Sequence, residues 1–169
     1  MKHQKGLILI ELIMTLVLIG IIATFAGFFI YNGINGYLRA KYITTESMDT
    51  QMALDRISLE LRSIDYFTSA PVLNTSIIYK STESELPGIR ILRYDAANNA
   101  ILIGEVGSEQ PLLENIKSGS FQLAVKDKDL DNDGSSDDIE AIEVEFKIID
   151  ISTIFRTRIF PRNLVEKTW

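Results

Sequence analysis

Leu7 to Ile30 reads LILIELIMTLVLIGIIATFAGFFI, and this stretch decides how the rest of the chain is understood. Its 24 residues include a single charge, Glu11. A helix rises ~1.5 Å per residue, so the run reaches about 36 Å, more than the ~30 Å of a bilayer's hydrocarbon core. A secretory signal has an apolar region of only ~7–15 residues followed by an A-x-A-like cleavage site. This run is longer, and Ala23 to Ala26 makes a poor site, so the pattern predicts a retained membrane segment. Lys2 and Lys5 stand just before it, whereas Arg39 and Lys41 lie several residues beyond. The nearer pair, on a very short tail, favours a single-pass segment with a cytoplasmic N-terminus and an extracytoplasmic C-terminal domain.

Set against that run, the bulk composition makes sense. The 169 residues are 46% hydrophobic and 24% charged, with a net charge of −6. Mean hydropathy is nevertheless +0.12, because the average blends a greasy helix with an acidic remainder. The apolar content is too high for a disordered chain of this charge. With a pI near 4.8 there is no clustered basic face, so nucleic acid is not an expected partner.

Glu11 separates a plain anchor from something more specific. An ionised carboxylate in hydrocarbon is costly, and such a residue normally has a partner or a function. Its setting is Lys5-Gly6-Leu7-Ile8-Leu9-Ile10-Glu11-Leu12. This segment resembles the class III signal of type IV pilins and of the pseudopilins of type II secretion. The resemblance implies cleavage by a prepilin peptidase between Gly6 and Leu7, on the cytoplasmic side of the inner membrane. It further implies N-methylation of Leu7, and pairing of the new α-ammonium with Glu11 of a neighbouring subunit. The family usually has Phe where this chain has Leu7, which bears on methylation more than on cleavage. The expected divisions are a leader over 1–6, a transmembrane and assembly helix over 7–30, an amphipathic helix over 31–70 and a β-rich domain over 71–169.

Asn32-Gly33 and Asn35-Gly36 read as a loosening of the helix, after which helical spacing resumes. Met48, Met52, Leu54, Ile57, Leu61 and Ile64 fall at steps of two to four and predict the stripe facing the core. Asp49, Asp55, Arg56, Glu60 and Arg62 are expected mostly on the other faces, with Arg56 and Glu60 at i,i+4. Pro71 closes helical territory. Strands are expected at 76–79, 89–94, 100–106, 121–125, 142–148 and 153–160, with a hairpin connector over 95–99. Ile142 to Ile148 reads IEVEFKI, a period-two alternation for a half-buried strand. A long helix followed by antiparallel strands is an α+β arrangement, pilin-like in the light of the resemblance.

The second half narrows that resemblance. The helix from Met52 to Ser63, MALDRISLELRS, is similar to that of J-type minor pseudopilins, as is Leu112-Leu113-Glu114-Asn115-Ile116. Phe160-Pro161-Arg162-Asn163 is similar to the Arg-Asn close of that group and of W-type minor pilins. The partners so implied are other pilins or pseudopilins of one filament, the prepilin peptidase and the inner membrane.

The densest acid cluster runs from Asp127 to Glu140. From Asp129 it fits D-x-D-x-D-G-x5-E, the loop pattern of an EF-hand. Ca²⁺ takes six to eight hard oxygens. Asp129, Asp131 and Asp133 would supply carboxylates, Ser135 its carbonyl, Asp137 a direct or water-bridged contact, and Glu140 two oxygens. Strands rather than helices flank the loop, Ser136 replaces the usual apolar residue, and a register starting at Asp127 also fits. An acidic turn around Asn132-Asp133-Gly134 without any ion is the plainer alternative.

Groups for catalysis are sparse. His3, the only histidine, lies in the expected leader, and the chain has no cysteine. Alternation puts Glu143 and Glu145 on one solvated strand face, so the expectation is a non-enzyme. Two functional classes follow: a minor pseudopilin or pilin subunit, or a membrane-anchored Ca²⁺-binding interaction domain that does not polymerise.

Overall fold

The computed structural model describes residues 4–72, 75–131, 134, 136, 138–163 and 165–166, with side chains from Leu9 onward. One helix, α1 (Gln4–Arg62), precedes eight strands: β1 (Ile64–Phe67), β2 (Ser76–Ser81), β3 (Ile89–Asp95), β4 (Ala100–Glu105), β5 (Gln110–Leu113), β6 (Gln122–Lys128), β7 (Asp138–Lys147) and β8 (Ile154–Ile159). The chain divides into two compact units, Met1–Thr45 and Glu46–Trp169, with the division inside α1.

The first unit is helix. It continues through Asn32-Gly33 and Asn35-Gly36 without a break, where a loosening was expected. Every side chain from Leu9 to Thr45 is exposed. The segment is long and apolar enough to cross a membrane.

The second unit is α+β. Strands β1 to β5 form an antiparallel meander in sequence order, and β6 to β8 form a second antiparallel sheet. The sheets are stitched by the Ile116–Ile148 bridge and by the Lys117 amide, which donates to the Lys147 carbonyl at 2.8 Å. Leu54, Ile57 and Leu61 of α1 share one core with Tyr79, Leu92, Ile101, Val144 and Phe146. The Asp95–Asn99 connector turns as expected: Asp95 accepts from the Ala97 amide at 3.1 Å and Asn99 takes φ 51°.

Two expectations for α1 are corrected. The helix ends at Arg62, not at residue 70, and Ile64–Phe67 is a strand. Its last carbonyls are taken by distant groups, since the Arg162 amide donates to the Arg62 carbonyl (2.9 Å) and the Thr82 amide to that of Ser63 (2.8 Å). The pairing of β1 with β2 then outcompetes another helical turn. The buried face is also rotated from the predicted stripe. Leu54, Ile57, Leu61 and Ile64 are buried as the stripe predicts, but Met48 and Met52 are exposed, and Thr50, Ala53 and Glu60 are buried instead.

Candidate functional site

The first candidate is Glu11 on the apolar helix. Among the polar side chains of the 7–30 run, Thr15 donates to the Leu12 carbonyl and Thr24 to that of Gly20, both at 2.9 Å. These hydroxyls are satisfied within their own helix, as hydroxyls in an apolar segment must be. Glu11 accepts no hydrogen bond and makes no ion pair among the described residues. A carboxylate has no donor to offer its own helix, and the amides around it are already engaged. Gly6 and Leu7 lie within α1, upstream of the described side chains.

The second candidate is the hairpin between β6 and β7. Asp129, Asp131 and Asp138 each present a carboxylate oxygen, and these oxygens lie within 4.8 Å of one another. Asp138, the first residue of β7, is 1% exposed. Its Oδ2 accepts from the amides of Leu130 (2.7 Å) and Asp131 (3.2 Å), which fixes the carboxylate over the loop. Among the described residues its Oδ1 is buried without a hydrogen-bond partner, and so is Oδ1 of Asp129. The other Asp129 oxygen accepts from the amide of Gly134 at 3.2 Å. Gly134 has φ 92°, a conformation that a side chain would strain, so the glycine has the role expected from the loop pattern.

Of the six residues read from the sequence as Ca²⁺ ligands, Asp129 and Asp131 are brought together. Asp133, Ser135 and Asp137 lie outside the described residues. Glu140 is placed elsewhere: its Oε2 accepts from Arg158 of β8 at 3.0 Å. The cause is a bulge. Lys126 pairs with Ala141 but Asp127 pairs with Ile139, so Glu140 is the extra residue of β7 and turns to the outer face. There it joins Glu143 and Glu145, which stand directly across from Arg158 and Arg156 in the register of β7 and β8. Asp138 went unrecognised because a loop pattern read by position passes over it. Alternation extended back from Ile142 points inward at both 138 and 140, but the bulge puts Ile139 in the core instead, and Asp138 is buried under the loop amides and the bridge to Glu166.

A buried ionic cluster supports the helix and was likewise missed. Glu60 is 1% exposed and accepts from Arg56 Nε (2.9 Å), Arg90 Nε (2.8 Å), Arg90 NH2 (3.0 Å) and the Tyr79 hydroxyl (2.8 Å). Burial, together with the Glu60 charge beside it, pushes the Tyr79 hydroxyl well above its ordinary pKa. Burial works against the charge of Arg90, but its hydrogen bonds and attraction to Glu60 prevail and hold its pKa above the ordinary value. The i,i+4 spacing of Arg56 and Glu60 was legible in the sequence, but it suggested an exposed pair. The Tyr79 and Arg90 bonds to Glu60 join α1 to β2 and β3, so this cluster holds structure.

No family model, curated protein or solved structure matches this chain.

Proposed function

We propose that the chain is a minor pilin-like subunit of a type II secretion or type IV pilus assembly, built into a filament through its N-terminal helix. The observation that carries this reading is Glu11, a carboxylate with no partner among the described residues, in an apolar run whose Thr15 and Thr24 hydroxyls are satisfied within the helix. In the proposed course, a prepilin peptidase hydrolyses the bond between Gly6 and Leu7 at the cytoplasmic face of the inner membrane. The new α-ammonium of Leu7, methylated or not, then pairs with Glu11 of a neighbouring copy or related subunit. In low dielectric an isolated carboxylate is strongly disfavoured, so the pair sets the axial register of one helix against the next. The exposed apolar side chains from Leu9 to Ile30 face lipid before assembly and neighbouring helices after it. The C-terminal unit lies on the extracytoplasmic side.

Mass spectrometry of the membrane-extracted protein tests the first step. An N-terminus at Leu7 is expected in cells that hold a prepilin peptidase, and an intact Met1 there refutes the reading. The acid cluster at Asp129, Asp131 and Asp138 favours a second reading, a membrane-anchored Ca²⁺-dependent interaction domain that never polymerises. Glu11→Ala separates the two: incorporation into filaments falls to background on the first reading, and nothing changes on the second.

A further inference from the structure

We propose that the β6–β7 hairpin is a Ca²⁺ clasp whose inner ligand is Asp138, and that Glu140 does not coordinate the ion. The proposal does not depend on whether the chain polymerises. Two features carry it together. Three carboxylate oxygens gather within 4.8 Å, which is the span of two Ca–O bonds of about 2.3–2.6 Å. In addition, Asp138 is almost wholly buried, and its Oδ1 has no hydrogen-bond partner among the described residues. A buried carboxylate oxygen left unsatisfied is unfavourable, and a second one on Asp129 beside it adds like-charge repulsion. A divalent cation among the three removes both penalties. An approaching proton would relieve only one oxygen at a time.

The protein already holds Asp138 for this task. The Leu130 and Asp131 amides fix Oδ2, which leaves Oδ1 for an ion. The next residue, Ile139, donates its amide to the Val165 carbonyl at 2.8 Å, and Asp138 itself bridges to Glu166. An ion on Asp138 therefore ties the hairpin tip to the base of β7 and to the C-terminal segment that crosses it. Remaining coordination sites go to water. Ca²⁺ suits such an irregular oxygen set, whereas Mg²⁺ demands a near-ideal octahedron and parts reluctantly with its waters.

The test is calorimetric titration of the full-length chain in non-ionic detergent with CaCl₂, repeated with MgCl₂, together with thermal unfolding with and without chelator. Wild-type protein is expected to bind Ca²⁺ in preference to Mg²⁺ and to gain about 4 °C or more in Tm when loaded. Asp138→Asn keeps the shape and the Oδ acceptor but removes the charge, and should weaken Ca²⁺ binding about tenfold or more. Glu140→Gln should bind as wild type. If Asp138→Asn fails to fold in chelator, Asp129→Asn, a half-buried loop position, takes its place with the same expected loss. Absence of Ca²⁺ heat and of any Tm shift in the wild type overturns the proposal. So does loss of binding in Glu140→Gln, which would restore the EF-hand register, or wild-type binding in the folded Asp variant.

Discussion

Glu11 and Glu60 stand on one continuous helix, and their surroundings are opposites. Around Glu11 every described side chain is exposed, and the carboxylate has no partner among the described residues. Glu60 is 1% exposed and accepts hydrogen bonds from two arginines and a tyrosine. Each acid has an aliphatic residue on either side, Ile10 and Leu12 for Glu11 and Leu59 and Leu61 for Glu60, but charged residues surround only Glu60. What differs is whether the chain itself brings donors to the acid. The domain supplies them for Glu60 from β2 and β3, so that charge is spent on internal structure. Among the described residues of the first unit none does so for Glu11, and a carboxylate in an apolar setting is costly until it gains a partner.

The largest effect should come from Glu60→Ala. It leaves Arg90 buried without its partner, and removing one member of a buried ion pair typically costs ~3–5 kcal/mol. Denaturant unfolding of the full chain in detergent should show that loss in its midpoint; an unchanged midpoint would mean the cluster is solvated in solution. Next in size is a pair of neighbouring leucines. Leu61 is 0% exposed, so Leu61→Ala should cost ~2–5 kcal/mol, while Leu59, 63% exposed, should tolerate the same change within about 0.5 kcal/mol. Equal costs for the two would show that the helix face is rotated from the one described.

A smaller, pH-dependent effect belongs to Tyr79. Its folded pKa is raised, so the native state keeps a proton that the unfolded chain gives up near pH 10. The corresponding stability is present below pH ~10 and declines as pH rises above it. Tyr79→Phe should flatten this alkaline decline, and an identical slope in both proteins would remove the role given to the hydroxyl. Least of all, Glu11→Ala should leave the unfolding midpoint unchanged. A clear destabilisation would mean that Glu11 has an internal partner after all, and the contrast with Glu60 would fail.

The acid loop shows how far a pattern read by position can go. Asp129 and Asp131 bring their carboxylates together and Gly134 makes the turn, because residues two apart and a glycine with positive φ are local requirements. Glu140 does not, because its orientation depends on how β7 pairs with β6. A single bulge reverses which face a residue occupies. The late Arg162 and Asn163 make a similar point. In the fold the Arg162 amide closes the helix at the Arg62 carbonyl, and Asn163 donates to the Ile64 carbonyl at the start of β1 at 3.1 Å.

What the sequence determined by itself were the properties carried by short-range periodicity. These are the 7–30 apolar run, the place of Glu11 within it, the sheet-forming half and most of its strands, and the Asp95–Asn99 turn. Hydropathy and backbone preference act over a few residues, so they can be read along the chain. Tertiary structure alone decided where α1 stops, which of its faces is buried, that Glu60 is internal and that Asp138 rather than Glu140 joins the acid cluster. Each of these depends on donors and acceptors supplied by residues far away in sequence. The Glu60–Arg90 pair spans thirty positions, and the Arg162–Arg62 bond that closes the helix spans a hundred.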